Sequence, residues 1–211
     1  MLFRSAGLAP QARLTPLAEA PAPTTSSMIQ VKREGTQSDI LFATDGPKRD
    51  NPDWYAAEIA NYILGGGGFS SRLMQDVRDK RGLTYGISTG LSPSQHSALI
   101  VGQAAVDNPK VGEAMDVIRA TMRHFHDDGL TPQEMAAAKD YLTGSQALAL
   151  TSTEKIAGFL VNMQREHLGR DYLDRYSTLV RAVTASDIDR VIETWFNPGR
   201  FTWVIVGKPE G

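Results

Sequence analysis

Four consecutive glycines, Gly65, Gly66, Gly67 and Gly68, stand inside "ILGGGGFSSRLMQDVRDKRGLTYGIS", residues 63–88. Glycine loses more backbone freedom on folding than any other residue, so a run of them is costly to order. Such a run marks a loop that needs left-handed backbone angles or lets another group come close. A basic, amphipathic segment follows. Ser70 or Ser71 can cap it as a short helix that carries Leu73, Met74 and Val77 on one side. Lys80, Arg81 and Gly82 read as its exit, with cations in the last turn and glycine at the stop.

The pattern on either side of this stretch predicts an α+β fold. Residues 1–27 are rich in Ala, Pro, Ser and Thr ("LAEAPAPTTSS") and read as a linker or N-terminal arm, leaving residues 28–211 as the domain. "MIQVKRE" alternates as a half-buried strand does, and "SDILFAT" reads as a second strand closed by Asp45-Gly46. In "NPDWYAAEIANYILG", Tyr55, Ile59, Tyr62 and Ile63 fall at helical spacing. "LTYGISTGL" and "SALIVGQAAV" read as strands around the turn Ser92-Pro93-Ser94.

Next comes a helix over about 109–127, with Val111, Ala114, Met115, Ile118, Met122 and Phe125 on one stripe. "TPQE" at 131–134 has a Thr cap, Pro at the first position and Glu to complete the box. Helices are expected at about 132–149, 153–168, 171–182 and 185–196, and "RFTWVIVG" as a buried strand. Helices separated from strands in this way suit a mostly antiparallel sheet with helices packed on one face.

Composition narrows the function classes. With 22 basic and 24 acidic residues the formal net charge is −2, and no Lys/Arg cluster is large enough to hold a polyanion, so nucleic acid is not an expected partner. There is no cysteine, which excludes disulfides, thiolate zinc sites and cysteine nucleophiles. No run approaches the roughly 18 apolar residues of a membrane helix, so no membrane partner is expected. Cytoplasm and periplasm remain equally open.

Phosphate binding by the glycines does not fit. They follow a helix rather than a strand, and neither G-x-x-x-x-G-K-[ST] nor a strand-borne G-x-G-x-x-G occurs. A metal site does not fit either. His124 and His126 sit two apart on a helix, so their side chains diverge, and His96 stands alone. "MQREH" ends in the Glu166-His167 of an H-x-x-E-H pattern, but Met163 replaces its first ligand, and a thioether is a poor zinc ligand. No G-x-S-x-G elbow appears.

Arg78 and Tyr85 remain. They fall either side of the tight Arg81-Gly82 exit, so both can face one surface. A guanidinium and a phenol suit peptide carbonyl oxygens, or an oxyanion forming from one. Taken by chemistry alone, a solvated arginine beside a half-buried tyrosine is the favoured reading, because exposed charge is the default.

"NYILGGGGFSSRLMQDVRDKRGLTYGIS", the preceding "QSDILFATDG" and "NPDWYAAEIANYILG", and the closing "WFNPGRFTWVIVG" resemble the second half of peptidases in the pitrilysin and mitochondrial-processing-peptidase family of inverted zincins. The resemblance runs in the same order over about residues 28–208. It implies one half of a clamshell enzyme. The other half carries zinc on H-x-x-E-H, while this one holds no metal and supplies an arginine and a tyrosine seven residues apart. Arg78 and Tyr85 have that spacing in "RDKRGLTY". By resemblance, Tyr85 supports the substrate carbonyl as it becomes negative, Arg78 holds neighbouring backbone, and Gly65–Gly68 shape the cavity wall.

The zinc motif itself is missing. The chain alone is therefore expected to be inactive and without a cofactor, with zinc in a partner half, fused or separate, and peptide as substrate. A lone half leaves exposed the surface its partner would cover, so self-association is a further expectation. The alternative is a non-enzymatic scaffold or peptide-binding subunit of the same fold, as in the core subunits of a respiratory cytochrome complex that this family includes.

Overall fold

The computed structural model describes residues 17–209; the arm reading of residues 1–16 lies outside them. Five strands form one sheet: β1 (Ser27–Lys32), β2 (Gln37–Asp45), β3 (Thr84–Ser92), β4 (Leu99–Asp107) and β5 (Thr202–Gly207). Their spatial order is β1-β5-β2-β4-β3. Only the β1–β5 pair is parallel; β5–β2, β2–β4 and β4–β3 are antiparallel.

Alternation decides which face is covered. Ile40 and Phe42 of β2, Ala104 and Val106 of β4, and Trp203 and Ile205 of β5 point into the core. Asp39, Leu41 and Gln103 point the other way, to solvent. The register is locked by a size match: Phe42 lies opposite Gly102, where an added Cβ would stand 2.1 Å from the ring. On the other side Phe42 stacks on Trp203 at 4.9 Å between centroids.

Among the described residues the α-helices are α1 (Trp54–Asn61), between β2 and β3, and α2 (Val111–Asp128), α3 (Pro132–Gly144), α4 (Thr153–Arg165), α5 (Tyr172–Ala182) and α6 (Ala185–Trp195), between β4 and β5. The stripe of α2 buries Val111, Ala114, Met115, Ile118, Met122 and Phe125 as its spacing requires. Phe125 meets Phe196, just past α6, at 5.6 Å. Thr131 and Thr184 both make complete capping boxes, with Glu134 and Asp187. The fold is thus α+β, with a mostly antiparallel sheet.

Several local expectations need correction. β1 is not half-buried: all six residues are exposed, because it is an edge strand beyond the reach of the helices. The helix expected to 149 ends at Gly144 and tightens into a 3₁₀ segment, Ser145–Leu150. Glycine followed by serine, both weak helix formers, ends the longer ladder there. The helix expected to 168 ends at Arg165, and His167 adopts φ +53°. Leu168 N–H closes that end on the Met163 carbonyl at 3.0 Å. Ser71 stands at the start of the next helical segment, its carbonyl accepting from Gln75 N–H at 3.0 Å. Neither serine caps that segment with its side chain: the hydroxyls of Ser70 and Ser71 donate back to the carbonyls of Gly67 and Gly68, at 2.9 and 2.7 Å.

Arg72 ties the segment after the glycines to α3. Its Nε and Nη2 donate to the two carboxylate oxygens of Glu134, each at 2.8 Å, and Nη2 also donates to the Gly129 carbonyl at 2.9 Å. These bonds, above all that from Arg72, and those from Thr131 hold the Glu134 carboxyl well below its ordinary value of 4.5, at about 2, against the opposing effect of burial. Depression means that this contribution to stability is complete above about pH 4.5 and is lost as pH falls toward 2. The denaturant midpoint of Glu134→Gln is therefore expected to fall less between pH 5 and pH 2.5 than that of the native protein. Identical slopes for the two would show that the pair is not thermodynamically linked to folding.

Candidate functional site

The glycines answer a packing problem before they serve any site. α1 runs on into a widened turn, Tyr62–Gly66, closed by Gly67 N–H donating to the Tyr62 carbonyl at 2.7 Å, five residues back. Gly65 faces β3, where an added Cβ would lie 2.5 Å from Thr89 Oγ1 and 2.8 Å from the Thr89 backbone nitrogen. At Gly66 it would meet Asn61 Nδ2 at 2.7 Å, and at Gly67 the Tyr62 carbonyl at 2.8 Å. Gly68 meets nothing, but its φ is +58°. Three glycines thus permit close approach and the fourth supplies the left-handed angle. The expected loop reduces to Gly67 and Gly68, since Gly65 and Gly66 belong to the helical turn.

Arg78 lies in a second widened helical segment, Met74–Asp79, closed by Lys80 N–H on the Gln75 carbonyl at 2.9 Å. Such one-turn widenings recur at functional sites. Asp76 holds the segment in place: it accepts from Thr121 Oγ1 on α2 at 2.9 Å and from Lys80 Nζ at 2.7 Å. Arg81 donates to the Asp76 carbonyl at 2.8 Å. Lys80 and Arg81 are therefore committed to the fold. Arg78, by contrast, donates to one neighbour, Asp79 Oδ1, at 2.7 Å, and its guanidinium lies 4.8 Å from the centroid of the Phe69 ring.

The chain leaves this segment through Gly82, at φ +61°, and enters β3 through a bulge. Register passes from Thr84↔Val106 to Ile87↔Ala104, so Tyr85 and Gly86 together oppose Ala105. A bulge leaves one residue unpaired, twists the strand and re-aims a side chain. Thr84 holds the bulge closed. Its Oγ1 lies 2.7 Å from the Ala105 carbonyl and 2.9 Å from that of Gly86, and it accepts from Gly86 N–H at 3.1 Å. The result is a tyrosine 90% exposed, held out from the end of a strand.

Arg78 and Tyr85 line one cleft of about 460 Å³, whose wall Gln37, Asp79, Asp107 and Lys110 help to complete. An arginine edge and a phenolic O–H on one cavity can donate hydrogen bonds to successive oxygens of an extended chain. A separate, wider groove of about 830 Å³ is lined by Leu41, Gly86, Ala105 and Val206, and shares Ala105 with the cleft. Thr84 and Phe69 were missed by sequence reasoning. Their position in the "GGGGF" and "GLTY" junctions was the available signal, but a bulge and a cation–π contact have no pattern of their own.

The histidines stay apart. His124 Nδ1 faces Asp128 at 3.3 Å, His126 lies between Asp127 and Glu193 at 2.9 and 3.2 Å, and His96 Nδ1 sits 3.8 Å from Glu19. Met163 is buried, Glu166 pairs with Arg165 at 2.8 Å, and His167 lies beyond the end of α4. Among the described residues no group of three or more His, Cys, Asp or Glu could hold a metal ion. No described helix is long and apolar enough to cross a membrane.

Fold and cleft together define an α+β domain with a cleft lined by Arg78, Tyr85 and Lys110 alongside the carboxylates Asp79 and Asp107. The chain belongs to the peptidase M16 inactive domain family, whose profile matches residues 5–142. It is 32% identical over 123 residues to an uncharacterized zinc protease of Streptomyces coelicolor, covering 58% of this chain and 27% of that protein. It is 28% identical over 117 residues to the non-peptidase homolog YmxG of Helicobacter pylori, covering 55% of this chain and 27% of that protein. The crystal structure of a peptidase M16 inactive domain from Pseudomonas fluorescens superposes with a TM-score of 0.83 at 28% identity, covering 94% of this chain and 46% of that one. In each case this chain spans less than half the length of its relative.

Proposed function

We propose that this domain is the non-zinc half of a zinc metalloendopeptidase, in which Arg78 and Tyr85 bind the peptide and support the transition state. The observation that carries this reading is their convergence on one cleft, with Tyr85 held out by a bulge. The metal belongs to a partner half carrying H-x-x-E-H, fused or separate, where it would polarise the scissile carbonyl and activate water. From this side, Arg78 donates to backbone carbonyls flanking the scissile bond and fixes the register of the peptide. The Tyr85 O–H donates to the carbonyl oxygen, and the bond strengthens as negative charge gathers there. Interactions that grow in this way raise turnover rather than ground-state binding.

The decisive experiment compares zinc content and peptide cleavage for this chain alone and after mixing with a matched H-x-x-E-H half. No zinc and no cleavage alone, with cleavage after mixing that weakens in Arg78→Ala, is the expected result. Zinc bound or peptide cut by the lone chain would overturn the assignment. A second reading, a scaffold or peptide-binding subunit, is favoured by similarity to a relative named as a non-peptidase. It predicts inactivity with every partner and indifference to Arg78 and Tyr85.

A further inference from the structure

The geometry points to Phe69 as the residue that positions Arg78, a role that rests on the reading of Arg78 as a peptide-binding group. Phe69 sits on the three-residue turn Gly68–Ser70, directly after the glycine run, and is 67% exposed. The turn is held at several points. Gly68 takes φ +58°, Ser70 Oγ donates to the Gly67 carbonyl, Ser71 Oγ donates to that of Gly68, and Gln75 Nε2 donates to the Ser70 carbonyl at 3.2 Å. The ring therefore extends from a constrained backbone. Against it lies the Arg78 guanidinium, 4.8 Å from the ring centroid, inside the range of roughly 6 Å over which an aromatic face attracts a cation.

The other restraint on Arg78 is weak. Asp79 is its sequence neighbour, both side chains are more than a third exposed, and one N–H reaches one oxygen. Exposed single-point ion pairs hold long side chains poorly. A π face differs in a way that matters for function. The guanidinium carries five N–H donors, of which one is engaged by Asp79, and the ring offers no oxygen or nitrogen acceptor to take up the others. Phe69 thus orders Arg78 without consuming the hydrogen bonds that a peptide would need. A lysine here, a point charge without a planar edge, would gain from the ring and lose the fork.

Two measurements on the whole chain test this. One is the ¹⁵N order parameter of the Arg78 Nε–H, in the native protein and in Phe69→Leu and Phe69→Trp. The other is the affinity for a fluorescein-labelled unstructured decapeptide in the same proteins, in Arg78→Ala, and in Arg78→Ala combined with Phe69→Leu. Phe69→Leu, which keeps apolar bulk without a π face, is expected to lower the order parameter and weaken the peptide about 2- to 5-fold. Phe69→Trp should retain both, and Phe69→Leu should add nothing in the Arg78→Ala background. An unchanged order parameter in Phe69→Leu overturns the positioning role, as does a full Phe69→Leu effect on affinity when Arg78 is already alanine. Indifference of the peptide to Arg78→Ala, with the order parameter still dependent on Phe69, instead overturns the peptide-binding reading.

Discussion

Tyr85→Phe is expected to lower the turnover of the assembled two-half enzyme about 10²–10³-fold, the range for removing one oxyanion donor, with little change in KM. The substitution removes one O–H and keeps the ring. Tyr85 is exposed and lies outside the core, so the denaturant midpoint should not move. That control separates loss of a chemical group from loss of structure. The split between kcat and KM carries the mechanistic content, because a donor that engages only as charge develops lowers turnover and leaves ground-state binding alone. Unchanged turnover in Tyr85→Phe, measured with a competent zinc half, would remove Tyr85 from the chemistry. A rise in KM alone would make it a binding group.

Gly65→Ala should destabilise the domain by about 1–3 kcal/mol, the usual effect of forcing a methyl group into a filled space. The sign is the informative part. Glycine inside a helical turn is ordinarily about 1 kcal/mol worse than alanine, so propensity alone predicts stabilisation. Here the new Cβ meets the Thr89 backbone nitrogen at 2.8 Å, and neither α1 nor β3 can yield without disturbing the sheet. Gly66→Ala meets the flexible end of Asn61 instead and should be milder. Gly68→Ala meets no atom, but the left-handed angle costs roughly 1–2 kcal/mol. Urea midpoints for the three variants give the ranking. A stabilised Gly65→Ala would mean that the helix and β3 approach each other less closely than described.

Much of this architecture was legible residue by residue. The Thr131-Pro132 and Thr184 starts, the apolar stripe of α2 and the exit at Gly82 follow from capping chemistry, helical period and the glycine-only angle. Each depends on residues within one or two turns of one another, which a linear reading can see. The seven-residue spacing of Arg78 and Tyr85 was visible for the same reason. The identity of the second face of "MIQVKRE" was not. Alternation says that a strand has two faces, not whether anything covers them, and β1 turned out to be an edge.

The four glycines mark the boundary between the two kinds of knowledge. Sequence alone determined that something must come close or that the backbone must turn left-handed there, because no other residue type relieves both constraints. It also determined the α+β class, the lack of any thiolate ligand, and the separation of the histidine pair. Only the tertiary structure decided what comes close: the backbone of Thr89 on β3, twenty-four residues away from Gly65 along the chain. It likewise decided that the bulge at Thr84 exposes Tyr85, that Phe69 meets Arg78, and that β5 inserts between β1 and β2. These are contacts between segments whose spacing along the chain carries no energy; their strength appears only once the sheet has brought them together.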